Sequence, residues 1–407
     1  MGRLALVNGR LITPFRQIPN GTIIINGKTI EDCGLVGQVT IPGDAKVIDL
    51  KDLNVSPGFI DLHIHGAWGG DVMSASLIDL EKMACGLAKT GVTSFLPTTL
   101  TAPFDKLEQI INCIEQAATE KKNGNGAKIL GVHLEGPYLN RNQQGAQNPE
   151  WIAKPNHKEY CAFLDRHPII KRMSAAPEIP GGLELGLELQ RRGIVASIAH
   201  SDATYQEVLQ AIEHGYSHVT HIFSGMSGVR RIDAYRVPGV IESTLLIDEL
   251  TTEIIADGHH LPPSLIRLVI KSKGLENICL VTDSMSAAGL GPGQYELGGL
   301  KVIVEDNIPE NYEIKTRKGN LVAKLVDRSA FASSVATMNQ MVRNMTELIG
   351  LSLQDAIKLV TFNPALMQKV DGDIGIIAKG KRADLVVFND SIEIAMTMID
   401  GKIVYQK

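Results

Sequence analysis

Eight short runs rich in branched and apolar residues recur through the middle of the chain, at 59–63, 93–97, 129–134, 172–176, 194–199, 217–221, 253–257 and 278–282. Between most of them lie stretches of helical periodicity that stop at a glycine. Examples are Leu77 to Lys89 before Gly91, Thr204 to His214 before Gly215, and Leu265 to Lys273 before Gly274. The second opens on Thr204-Tyr205-Gln206-Glu207, a capping box in which threonine and glutamate each satisfy a free backbone N–H. Eight such units predict an α/β chain folded as a (β/α)8, TIM-like barrel with its active site at the strands' carboxyl ends. An open doubly wound sheet shares the alternation, but no GxGxxG loop follows the early strands.

The two ends of the chain have a different texture. Ala5-Leu6-Val7, Thr22 to Ile25 and Lys46 to Leu50 are β-branched runs, and Asn26-Gly27 is a strong hairpin turn. Ala383 to Phe388, Ile392 to Met398 and Lys402 to Tyr405 repeat the texture around an Asp400-Gly401 turn. We therefore expect a small β-sandwich domain built from both termini, residues 1–57 and 369–407, around a barrel of residues 58–368.

Charge and cysteine usage narrow the partners. A net charge of -5 and a pI near 6.1 argue against nucleic acid, and no basic block suggests a membrane surface. The N-terminus lacks the regions of a secretory signal, no run is long enough to span a bilayer, and Leu6 stands where a myristoylation site needs Ser or Thr. Five cysteines without a CxxC pair fit reduced thiols, so a cytoplasmic location is expected.

The strand ends carry the chemistry. The first strand runs into His63-Ile64-His65, whose two imidazoles point the same way because side chains alternate faces. The third ends at Glu135, the fifth at His200, the sixth at His221 and the eighth at Asp283. A barrel brings these ends together, and four histidines with two carboxylates suit a hydrolytic zinc or iron centre. His133, on the face of Glu135, is expected to support the site rather than bind metal. His214 and His218 flank a helix-to-strand turn and are expected at the surface, and no role is assigned to His157 or His167.

Four motifs then occur in order: His133-Leu134-Glu135-Gly136-Pro137-Tyr138-Leu139-Asn140, Ser197 to Tyr205 around His200-Ser201-Asp202, Ala256-Asp257-Gly258-His259-His260, and Val281-Thr282-Asp283. Together they resemble the N-acetylglucosamine-6-phosphate deacetylases of the amidohydrolase superfamily, over nearly the whole chain. The resemblance implies Glu135, His200 and His221 as ligands of the main divalent metal, zinc or iron. It implies His63 and His65 as the pair that holds a second metal in some members, so one or two per chain. Asp283 matches the catalytic aspartate, His260 a substrate-contacting histidine, and Arg236 an arginine that engages the sugar phosphate. A homodimer, with a site completed by the neighbour, is also implied.

The chain departs from that family's pattern in substrate recognition. Gln147 stands where a histidine contacts the acyl carbonyl, and it donates a hydrogen bond without carrying charge. Ser224-Gly225 replaces Asn-Ala beside the phosphate site, and Val237 replaces an acid. Ser227 to Tyr235 is longer and more basic than usual, and Ala332-Ser333-Ser334, replacing Ala-Gly-Ser, follows an unusual Glu305 to Arg328 segment. The leading expectation is a metal-dependent deacetylase of N-acetylglucosamine 6-phosphate. An alternative is another N-acyl amino sugar, such as N-acetylgalactosamine 6-phosphate. A cyclic-amide amidohydrolase would need a bridging lysine that no strand end offers, and a silent sugar-phosphate binder would not need every ligand.

Overall fold

The computed structural model describes residues 2–119, 126–309, 312–313 and 321–407. Its centre is a parallel barrel of β1 (Phe59–Ile64), β2 (Val92–Thr99), β3 (Val132–Glu135), β4 (Ile170–Ala175), β5 (Val195–Ile198), β6 (Tyr216–Val219), β7 (Thr251–Ile254) and β8 (Ile278–Leu280). The third predicted strand is interrupted: Lys128–Ile129 pairs with β2, and pairing resumes at Val132 with β4 and at His133 with β2. β1 and β8 meet where an open sheet would have an edge. Asp283 N–H donates to the His63 carbonyl (2.8 Å) and His65 N–H to the Ser284 carbonyl (2.9 Å). Below them, the Asp61 carboxylate accepts from the Thr282 N–H (3.1 Å) and hydroxyl (2.5 Å). These bonds exclude the open-sheet alternative.

Helices cover the outside as their periodicity requires. Leu77–Ala88, capped by Ser76, buries Leu80, Met83 and Leu87 on one face, and Tyr205–Glu213 starts at the expected Thr204–Glu207 capping box. Each fully buried side chain of this kind contributes about 1.5–3 kcal/mol. The barrel interior is polar instead. Ser174 bonds His133 (2.7 Å) and Thr220 (2.8 Å), and Thr220 bonds Ser197 (2.6 Å). His218 is buried in this interior, donor or acceptor to Thr251 Oγ1 at 2.6 Å, and not at the surface. The pleat of β6 turns it inward, which its position beside a turn did not reveal.

Both termini build one mixed sheet. Leu4–Ile12, Gln17–Asn26, Thr29–Leu35, Lys46–Asp49 and Asn54–Pro57 join Leu385–Phe388, Ile394–Ile399 and Lys402–Gln406, with Asn54–Pro57 antiparallel to Leu385–Phe388. The sheet curls into a sandwich, since Ile23 and Ile25 share a core with Leu385, Met396 and Met398. It docks on the amino ends of the barrel strands: Gly58 N–H donates to Asp384, and the Thr397 hydroxyl donates to the Ala88 carbonyl (2.7 Å) just ahead of β2. The carboxyl-end rim is left free for the site.

Two excursions decorate that rim. After β8, Gly293–Leu297, Leu300–Glu305 and Val322–Leu325 form a three-stranded antiparallel sheet over its own small core of Leu297, Val302, Val304 and Ala323. The unusual Glu305 to Arg328 segment begins at the end of the second of these strands, and its residues 310–311 and 314–320 lie outside the described residues. The long basic stretch after β6 is a hairpin, Arg230–Ile232 against Tyr235–Val237. No helix of the described residues is long and apolar enough to cross a membrane.

Candidate metal centre

The strand ends converge on Glu135. Its Oε1 lies 3.0 Å from His221 Nε2, 3.4 Å from His200 Nε2 and 3.6 Å from His63 Nε2. Its Oε2 lies 3.5 Å from His65 Nε2 and accepts from Gln147 Nε2 at 2.7 Å. Asp283 Oδ1 completes the group, 3.1 Å from His65 Nε2 and 3.4 Å from His63 Nε2. All seven side chains are buried. His200, His221 and Asp283 hold left-handed backbones (φ 45, 26 and 44), the conformation that turns each side chain off its strand and into the barrel mouth. Such a backbone costs an L-residue about 1–3 kcal/mol, and strain of this kind gathers at functional sites.

The donor set fits a divalent metal. His65 Nδ1 meets the Thr98 carbonyl (3.1 Å), His200 Nδ1 the Gln143 carbonyl (2.8 Å) and His63 Nδ1 the Glu253 carboxylate (3.2 Å). Those oxygens only accept, so each Nδ1 carries the proton and each Nε2 presents a lone pair to the cluster. His63 and His65 thus face each other Nε2 to Nε2 at 3.3 Å, an arrangement that repels unless a cation lies between. Two overlapping ligand groups result, His63 with His65 and Glu135, and Glu135 with His200 and His221.

The electrostatics agree in sign. Burial opposes charge on Glu135 and Asp283, yet the surrounding imidazoles hold both carboxyls below the ordinary range, Glu135 well below it. Burial also opposes charge on His63, and the carboxylates of Glu135 and Asp283 reverse it, raising that imidazole well above its ordinary value. A field that favours added positive charge at this point favours a bound cation equally.

A cavity of roughly 240 Å³ opens over the cluster, walled by Leu100, Ala146, Gln147, Phe223, Ser224, Gly225, His260, Leu297 and Phe331 beside the ligands. Gln147 is held at both ends of its amide, since its Oε1 accepts the Thr101 N–H at 2.8 Å while its Nε2 donates to Glu135. His260 Nδ1 bonds Asp257 Oδ2 at 2.8 Å. Burial works against both charges in that pair, but their mutual attraction raises His260 and drives Asp257 down to about 2. Ser333 of the Ala332-Ser333-Ser334 motif also lines the cavity, and Ser334 N–H donates to the Asp283 carbonyl at 2.8 Å. Arg236 is not among the lining residues; it is exposed on the hairpin, opposite Arg231.

Sequence reading passed over the residues under the ligands. Glu253 and Arg172 are fully buried inside β7 and β4 and bond each other, with Arg172 also donating to His218 Nε2 at 3.1 Å. The available signal was a charge in the apolar run Thr252-Glu253-Ile254-Ile255, a place where an unpaired carboxylate is hardly ever found.

The amidohydrolase family profile matches residues 54–404. N-acetylglucosamine-6-phosphate deacetylase of Bacillus subtilis (strain 168) is 33% identical over 398 residues, 97% of this chain and 95% of that protein. N-acetylgalactosamine-6-phosphate deacetylase of Escherichia coli O157:H7 is 33% identical over 349 residues, 85% of this chain and 86% of that one. Among solved structures, N-acetylglucosamine-6-phosphate deacetylase from Pasteurella multocida superposes with a TM-score of 0.89 at 29% identity, covering 100% of both chains. A variant of the Mycobacterium smegmatis deacetylase, in complex with N-acetyl-D-glucosamine-6-phosphate, gives 0.87 at 27% identity over 100% of both. With its barrel, its candidate ligands at the strand ends and these likenesses, the chain belongs to the amidohydrolase family, with the N-acetylglucosamine-6-phosphate deacetylases as its relatives.

Proposed function

We propose that the protein hydrolyses the N-acetyl group of N-acetylglucosamine 6-phosphate, releasing acetate and glucosamine 6-phosphate. The observation that carries this is the Glu135-centred histidine cluster with Asp283 at its edge, inside a cavity sized for a small ligand. Glu135, His200 and His221 would hold a divalent zinc or iron ion and His63 with His65 a second; such an ion acts as a Lewis acid and lowers a water's pKa to ~7. Asp283, kept ionised by the imidazoles beside it, takes the water's proton as the oxygen adds to the acyl carbon. It returns that proton to the amine nitrogen as the C–N bond breaks, because an amine leaves poorly unless protonated. Gln147, with one N–H on Glu135, has a second to offer the developing oxyanion.

The phosphate needs positive charge. No lysine or arginine lines the cavity among the described residues, and His260, biased toward its charged form by Asp257, is the positive group those residues offer in the cavity that Ser224 and Gly225 also line. Arg236 on its exposed hairpin suits delivery from a second copy, in a homodimer whose sites are completed across the interface. Five free cysteines support a cytoplasmic setting for this enzyme, with residues 58–368 as the catalytic barrel and 1–57 with 369–407 as its small domain.

The Escherichia coli relative favours a second reading, the galactosamine epimer, at the same level of identity. Acetate release should be measured across N-acetylglucosamine, N-acetylgalactosamine and their 6-phosphates, alongside metal content by elemental analysis. Fastest turnover of N-acetylglucosamine 6-phosphate is expected. Metal-loaded protein that leaves this sugar intact removes the leading reading, and faster turnover of the galactosamine epimer installs the second.

A further inference from the structure

Glu253 is a buried carboxylate that the hydrolysis does not use, lying between both halves of the metal centre. Its Oε2 accepts from His63 Nδ1 at 3.2 Å and from the His221 backbone N–H at 3.3 Å. Its Oε1 is taken by the Arg172 guanidinium and lies 3.3 Å from His218 Nε2. His63 belongs to one ligand group and His221 to the other. One carboxylate oxygen therefore touches a ligand, or a ligand's backbone, from each.

We propose that Glu253 is a positioning residue that ties the two halves of the metal centre together, holding His63 in its Nδ1–H tautomer and pinning the left-handed backbone of His221. The inference rests on the metal-centre reading and not on the identity of the sugar. An ionised carboxylate only accepts hydrogen bonds, so the Nδ1 facing it carries the hydrogen and Nε2 keeps its lone pair for metal. Arg172 explains how a carboxylate stays charged in a buried barrel interior. It is fully buried, and its ion pair there is with Glu253. Losing a carboxylate behind a ligating histidine typically weakens metal binding by about 10- to 100-fold.

Glu253→Gln separates this role from mere packing, because it keeps shape and changes donors. Arg172 can only donate, so it captures the amide oxygen and turns the NH2 toward His63 Nδ1 and the His221 N–H. His63 should then switch to the Nε2–H tautomer, whose hydrogen points into the ligand cluster. Full-length protein stripped of metal is titrated with Zn2+ against a chromophoric chelator, and histidine tautomers are read from long-range 15N–1H spectra of histidine-labelled, metal-stripped protein at alkaline pH, where the imidazoles are neutral. Zinc binding about 10- to 100-fold weaker, with His63 as Nε2–H, is the expected result. Unchanged zinc affinity, or a His63 that stays Nδ1–H, overturns the proposal. Should the single variant fail to fold, Arg172→Met with Glu253→Met leaves no unpaired buried charge and carries the same expectation of weakened zinc binding. Wild type that takes up no Zn2+ overturns this proposal together with the metal-centre reading. Wild type that takes it up, matched by the variant, overturns this proposal alone.

Discussion

Gln147 shows how a single side chain is set by what its two ends touch. The Thr101 N–H fixes its oxygen and Glu135 fixes its nitrogen, so the amide cannot flip to face the cavity with its carbonyl. The one N–H left over is therefore a pre-aimed donor, and preorganised donors of this kind are worth about 100- to 1000-fold in kcat. Gln147→Ala is expected to lower kcat for acetate release by about 100-fold with a smaller change in KM; a KM effect alone would assign Gln147 to ground-state binding. Gly225 is constrained for a different reason. Its φ is 57, and a Cβ there would lie 2.6 Å from His200 Nδ1 and 3.0 Å from the Gln143 carbonyl that orients the ring. The alanine usual at this position in the resembling family has no room here. Gly225→Ala should cost about 1–2 kcal/mol of backbone strain and, by displacing His200, weaken zinc binding measured by chelator competition.

At the scale of elements, the hairpin Arg230–Ile232 and Tyr235–Val237 is the one whose shape asks for a neighbour. Tyr235 is 78% exposed, Val229 56% and Ile232 46%, and the hairpin carries Arg236, which is not among the described residues that line the cavity, none of them a lysine or arginine. If Arg236 serves the partner's site, Arg236→Met should raise KM for the phosphorylated sugar by about 10- to 100-fold, the worth of a charge-assisted contact of ~1.5–3 kcal/mol. Mixing Arg236→Met protein with Asp283→Asn protein should restore acetate release, since a mixed dimer then holds one site with both native residues. A mixture that stays inactive would place Arg236 in its own chain's site. This element was legible only as a long basic stretch, because hairpin pairing between Arg231 and Arg236 leaves no apolar signature. The barrel was legible for the opposite reason: its helices alternate apolar faces at regular spacing, and its candidate ligands follow the strands, where a polar residue is conspicuous. Glu253, Arg172 and His218 escaped because they sit within strands, and their partners become visible only when β4, β6 and β7 are seen to share one interior. Asn26-Gly27 and Asp400-Gly401 fixed their hairpins in advance, as turns with so few permitted residues do.

Across the whole molecule the site and the terminal sheet occupy opposite ends of the barrel. The candidate metal ligands and Asp283 come from the ends of β1, β3, β5, β6 and β8, whereas Asp384, Arg382 and Thr397, in or beside the terminal sheet, hold Gly58, Ser94 and Ala88 at or near the starts of β1 and β2. A six-residue strand such as β1 spans roughly 20 Å, so the two regions share no direct contact through it. Without metal, the candidate ligands at the carboxyl-end rim would keep only their bonds to Gln147, Glu253 and the Thr98 and Gln143 carbonyls, while the amino-end junction keeps every bond it has. Stripping metal should therefore loosen the molecule from one end. Zinc at 100 times its Kd is expected to add about 2.7 kcal/mol to unfolding stability, read as a rise in the denaturation midpoint over the stripped protein. Hydrogen exchange locates the change. Stripped protein should exchange faster after β5, β6 and β8, through residues 199–204, 221–228 and 282–290, with protection unchanged in Leu385–Phe388 and Ile394–Ile399. Equal loosening of the terminal sheet would mean that the barrel transmits the strain of the empty centre along its full length, and that the two ends fold as one cooperative unit.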